Sequence, residues 1–143
     1  APAHPLDWIR RAEADLTIRE QTEQALVLAG LSHRRDSVAA AMSHGEQRQL
    51  EIAMCLATEP AVLLLDEPLA GMGVAEAERM VELLLKLKPH HAMLLVEHDM
   101  DAVFALADRL SVMVNGVVIA SGTPSEIRQD AGVQAAYLGE EHA

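Results

Sequence analysis

The chain has 143 residues, half of them hydrophobic and 23% charged, which places it among globular chains of single-domain size. Its formal charge of −11, from 22 acids against 11 bases, leaves no basic face for a nucleic acid, and no apolar run approaches the ~18 residues of a membrane span. Trp8, Phe104 and Tyr137 are its only aromatic side chains, so the core has to be aliphatic.

No charged segment followed by an apolar one opens the chain, so no export signal is read there. The lone Cys55 can close no internal disulfide and is read as a small buried hydrophobe on a helix face. Together these features point to the cytosol. The opening "APAHPLDW" carries no initiator methionine, which leaves the natural start open.

Residues 6 to 29 read as helical in one or two pieces, with Ile18, Ala25, Leu26 and Ala29 near a 3.6-residue period and Gly30 as the stop. After a connector, a helix runs from Ser43 to about Thr58 with a stripe of Leu50, Ala53, Met54 and Ala57, and Pro60 lies beyond its end. "AVLLLDEP" is a short, continuously apolar run closed by two acids and a proline, the pattern of a parallel strand covered on both faces. Residues 75 to 88 are helical, with Ala77, Met80, Val81, Leu84 and Leu87 in phase. "AMLLVEHDM" repeats the strand format, and the next helix starts at Asp99 as N-cap. Asn115-Gly116 between β-branched stretches signals a two-residue hairpin. Thr123, Pro124 and Glu126 then form the start of a capped helix. The order of elements is that of an α/β fold.

Three places can carry chemistry. Asp66 and Glu67 stand side by side at the carboxyl end of a strand, where ligands of parallel α/β sheets bind. Asp66 there can hold Mg²⁺ and Glu67 can polarise or deprotonate a water attacking a phosphoryl group; taken alone, the pair is more commonly a solvated turn after a strand. His98 closes the next strand in the corresponding position, as a structural residue or as a contact to a terminal phosphate. Ser43 and Glu46 satisfy a capping box with no ligand at all. Gly45 fits that explanation badly, because a glycine early in a helix costs ~1 kcal/mol against alanine. It makes sense where something approaches the backbone closely, and phosphate suits the amide donors of a helix N-terminus.

Taken together, "MSHGEQRQLEIAMCLATEPAVLLLDEPLAGM" and "LLVEHDM" resemble the second half of an ABC-transporter ATPase. The wording "LAGM", "VEHDMDAVF" and "AYLGE" is closest to the branched-chain amino-acid importer type, and the resemblance covers residues 15 to 141. It implies the C-terminal part of a P-loop NTPase fold. Residues 1–58 are then part of a helical subdomain, and residues 59–143 part of the nucleotide-binding core, with a short parallel sheet and a hairpin near the end. Ser43, His44, Gly45 and Glu46 take the signature-motif positions and face the γ-phosphate of ATP held by a second ATPase subunit. Asp66 serves Mg²⁺, Glu67 is the catalytic base, and His98 senses the γ-phosphate. The partners implied are that second subunit and membrane permease subunits, at the cytoplasmic face of the inner membrane, with no nucleic acid.

The departures are His44 in place of the usual glycine, Glu46 in place of glutamine, and Gly73 where many D-loops have aspartate. A Walker A loop, G-x-x-x-x-G-K-[ST], is missing: Lys86 and Lys88 are the only lysines, and neither follows a glycine loop. The chain alone is therefore expected to be an inactive fragment of an ATPase. The alternative is a non-catalytic module or regulator that docks on a complete ABC ATPase.

Overall fold

The computed structural model of the protein describes residues 15–138, in two compact units, one ending at Glu97 and the other beginning at His98. The part of the first expected helix before residue 15 lies outside the described residues.

In the first unit, α1 (Leu16–Leu28) is started by Asp15, whose Oδ1 accepts from Thr17 N at 2.9 Å and from Ile18 N at 3.4 Å. It ends as the sequence suggests. Gly30 takes φ +74°, which a side chain would strain, and the two closing bonds run Leu31 N to Leu26 O and Gly30 N to Val27 O. Leu31 is thereby tucked in fully buried against a helix whose buried residues are Ala25 and Leu26. Ile18, in phase with that face, is exposed one helical end away.

Helix α2 (His44–Leu56) packs on α1, but on a different face from the one periodicity suggests. Ile52, Ala53 and Leu56 are buried, whereas Met54 and Cys55 are exposed, so Cys55 is not the buried hydrophobe expected. The cause lies in the sequence. Residues 52 to 56 are apolar without a break, and such a run selects no face until a partner helix does.

Strands β1 (Val62–Asp66) and β2 (Ala92–Val96) pair in parallel, from Val62 opposite Ala92 to Asp66 opposite Val96. Between them α3 (Val74–Leu87) buries Met80, Leu83, Leu84 and Leu87. The coverage of this sheet differs from expectation. Leu63 is 2% exposed, but on the opposite face Leu64 is 73% and Leu94 61% exposed. Among the described residues the parallel pair is covered on one face.

In the second unit, α4 (Met100–Leu106) starts from Asp99, whose carboxylate accepts from Ala102 N at 3.0 Å. Strands β3 (Leu110–Val114) and β4 (Val117–Gly122) form the expected hairpin, with Asn115 and Gly116 both at positive φ as its turn requires. Its register slips once, between Val112 and Met113. Helix α5 (Pro124–Gln129) carries the full capping box, and α6 (Ala131–Leu138) follows. Val112, Ile127 and Val133 form the core here, with Phe104, Leu110 and Ala120 against it, and the Arg128 guanidinium lies 4.1 Å from the Phe104 ring centre.

The bare sheet face has a consequence for the chain in solution. Apolar strands with an open face associate with like surfaces. Sedimentation of the purified chain is expected to show concentration-dependent association, relieved by the Leu64→Lys, Leu94→Lys double variant. A monodisperse wild-type monomer contradicts this.

Candidate functional site

The start of α2 is where the sequence-derived residues converge. Ser43 sits in extended backbone just before the helix, and its Oγ accepts from Glu46 N at 3.3 Å while Glu46 Oε2 accepts from Ser43 N at 3.0 Å. Both halves of the capping box are therefore made. The same Ser43 hydroxyl donates to Glu76 Oε1 at 2.8 Å. Gly45 is buried directly beneath this contact: a Cβ there would stand 3.0 Å from both Cδ and Oε1 of Glu76. The close approach that the glycine suggested is real, and the group that makes it is a carboxylate of the chain itself.

Glu76 lies in the first turn of α3, three residues after its N-cap Gly73. Its carboxylate receives the Ser43 hydroxyl, which above all holds its pKa below the ordinary 4.5 against the opposing effect of burial, with lesser help from the nearby Gly73 and Gly45 amides. The spacing that could have revealed it is present in the sequence, since a glutamate at the third helical position commonly turns back to the N-cap amide. Its reach to a second helix is not legible there.

His44 points along the same seam. Its Nε2 lies 3.1 Å from the Ala70 carbonyl, where the tautomer protonated on Nε2 donates. Gly71 adopts φ +72°, and a Cβ on it would come within 3.2 Å of His44 Nε2. The imidazole thus fills the place beside Ala70 and Gly71. Two bridges tie the start of α2 to its neighbours: Ser43 to Glu76 in the first turn of α3, and His44 to Ala70 in the segment between β1 and α3.

Glu46 is held from the other side. Arg34 Nε donates to its Oε1 at 2.7 Å, and His33 Nε2 is 3.6 Å from the same oxygen. With Oε2 accepting from Ser43 N, both oxygens are engaged. Arg34 and then the Ser43 amide hold its pKa below the ordinary value. Arg34 is a second residue that sequence reading passed over, because it lies in a connector with no period to mark it.

Asp66 is the exposed last residue of β1. Glu67 follows at φ +44°, its amide donating to Val96 O at 2.8 Å and its carbonyl accepting from Ala70 N at 3.0 Å. A non-glycine residue in the left-handed region costs roughly 1 kcal/mol, and such strain is concentrated at functional sites. Glu97, at the end of the neighbouring strand, accepts from Leu69 N at 2.8 Å and so braces the same turn. Among the described residues, no group of three or more His, Cys, Asp or Glu is placed to hold a metal. Mg²⁺ seldom uses such a cage and is bound by one or two carboxylates with waters and phosphate oxygens, a donor set that an exposed Asp66 fits. His98 is exposed and belongs to the second unit.

Comparison with known proteins gives a consistent result. Residues 5–70 match the family model described as ABC transporter, and residues 117–143 match that of the branched-chain amino acid ATP-binding cassette transporter. The chain is 42% identical over 133 residues to the high-affinity branched-chain amino acid transport ATP-binding protein LivG of Salmonella typhimurium, across 92% of this chain and 51% of LivG. It is 36% identical to the lipopolysaccharide export system ATP-binding protein LptB of Escherichia coli, over 89% of this chain and 54% of LptB. Among solved structures, MJ1267, an ATP-binding cassette of an ABC transporter, superposes with a TM-score of 0.79 at 29% identity, over 94% of this chain and 56% of that one. The fold is that of ABC ATPase cassettes, and the chain spans about half the length of the curated relatives it matches.

The capped start of α2 makes a pH prediction. A carboxylate with a depressed folded pKa adds stability that is fully present above its unfolded value, near 4.5 for Glu46, and is lost as pH falls through the lower folded value. Thermal melts of the Glu46→Gln variant are expected to fall less steeply than wild type as pH is lowered below about 4.5. Identical pH dependence in both proteins contradicts the arrangement.

Proposed function

The chain belongs to the family of ABC-transporter ATP-binding proteins, and from that premise we propose that it is part of the ATP-hydrolysing subunit of an importer for branched-chain amino acids or related small solutes. The observation that carries this reading is the start of α2, where the Ser43 hydroxyl and the open backbone at Gly45 receive a carboxylate. Donors that hold a carboxylate there suit a phosphate oxygen as well.

In this reading Ser43 and Gly45 face the γ-phosphate of ATP gripped by a second ATPase subunit, with His44 and Glu46 holding them in position. Asp66 holds Mg²⁺, which when bound neutralises charge on the phosphate oxygens. Glu67, fixed on its strained turn at the carboxyl end of β1, orients and deprotonates the attacking water. His98 contacts the γ-phosphate. Phosphoryl transfer depends almost wholly on positioning and charge stabilisation, so the His44–Ala70 and Ser43–Glu76 bridges matter because they set one group relative to another. Residues 1–58 contribute to the helical subdomain through which the subunit meets membrane permease subunits at the inner face of the membrane. No helix among the described residues is long and apolar enough to cross a membrane, and none is required when the contact is through a partner.

The sequence holds no G-x-x-x-x-G-K-[ST] loop, the element that cradles the nucleotide's own phosphates. The chain by itself is therefore expected to show no Mg-ATP binding by calorimetry and no ATP turnover, whereas the complete subunit turns over ATP and its Glu67→Gln variant does not. Mg²⁺-dependent turnover by the isolated chain, abolished by Glu67→Gln, contradicts this account.

A further inference from the structure

The Glu76 carboxylate occupies the donors that the proposed function assigns to phosphate. Its Oε1 is 2.8 Å from Ser43 Oγ, and its Cδ and Oε1 fill the space above Gly45 that a methyl group would enter at 3.0 Å. A phosphate oxygen needs the same hydroxyl and the same open space over the glycine. Two anions cannot share them, because the second would meet both a filled volume and a like charge.

We infer that Glu76 is an internal stand-in for phosphate, an anion of the chain's own that keeps the start of α2 satisfied until a nucleotide phosphate displaces it. This rests on the reading of Ser43 and Gly45 as a phosphate site. The architecture favours an exchange over a permanent plug. Glu76 sits, partly exposed, in the first turn of α3. A rotation about its side chain can release Ser43 and Gly45 while α3 stays in place. The exposed Ser43 stands open to an incoming anion from the solvent side. Loss of the Glu76 contact also unties α2 from the first turn of α3 and leaves His44–Ala70 as the remaining bridge from the start of α2 toward the turn that carries Glu67.

The test is a titration of the ¹⁵N-labelled chain with inorganic phosphate, followed at the backbone amides of residues 43 to 46. Wild type, Glu76→Ala and Glu76→Gln are compared, with the hairpin amides as the check that each variant is folded. Removing the competing charge is expected to tighten phosphate binding at Gly45 by several-fold to about tenfold in both variants, and Ser43→Ala added to Glu76→Ala is expected to abolish the gain. Equal binding by wild type and variants overturns the competition and leaves the phosphate site standing. Absence of any response in all of them overturns the phosphate site and the competition with it.

Discussion

The hydrogen bond from Ser43 to Glu76 is the contact on which the rest of the site depends. Ser43 has already joined one glutamate, Glu46, in a reciprocal cap that starts α2. By donating its hydroxyl hydrogen bond to a second glutamate, on α3, it turns a local cap into a joint between two helices. A helix N-terminus carries partial positive charge and unsatisfied amides, so an anion there is stabilising wherever it comes from. This chain supplies its own, and Gly45 makes room for it.

The joint is anchored at both sides. Behind it, Arg34 holds Glu46 and orients the cap. Ahead of it, His44 meets Ala70, one short turn from Glu67, whose amide is bonded to Val96 at the end of the neighbouring strand. A change at Ser43 therefore has a continuous bonded route to the residue at the carboxyl end of β1. The glycines at 45 and 71 are necessary for different reasons. Gly45 leaves space for a carboxylate, and Gly71 takes a positive φ that lets the turn close against the imidazole.

Much of this frame is legible from residue types alone, because its devices are local. The stop at Gly30, the caps at Asp99 and Thr123 and the hairpin at Asn115-Gly116 each depend on residues within a few positions of one another, and each stands where the sequence puts it. The misses share a cause. The buried face of α2 departs from its periodicity because residues 52 to 56 offer apolar side chains all round, and only the packing of α1 decides among them. The open face of the parallel pair is not legible in the sequence, because an apolar strand shows that it prefers cover without showing what supplies it. At the site, Ser43, Gly45, Asp66 and Glu67 stand out by motif. Glu76 does not, since its role appears when α3 is brought against α2, and Arg34 does not, since a connector has no periodicity.

The account turns on whether the Glu76 carboxylate is held by the start of α2, and a ¹³C titration of its carboxyl group measures that directly. The expected midpoint lies below 4.5 in the wild-type chain and moves back toward 4.5 in Ser43→Ala, whose hydroxyl is the foremost cause of the depression. A midpoint at the ordinary value in both proteins would contradict the account, because it would mean that Glu76 is solvated and the donors at Ser43 and Gly45 hold nothing.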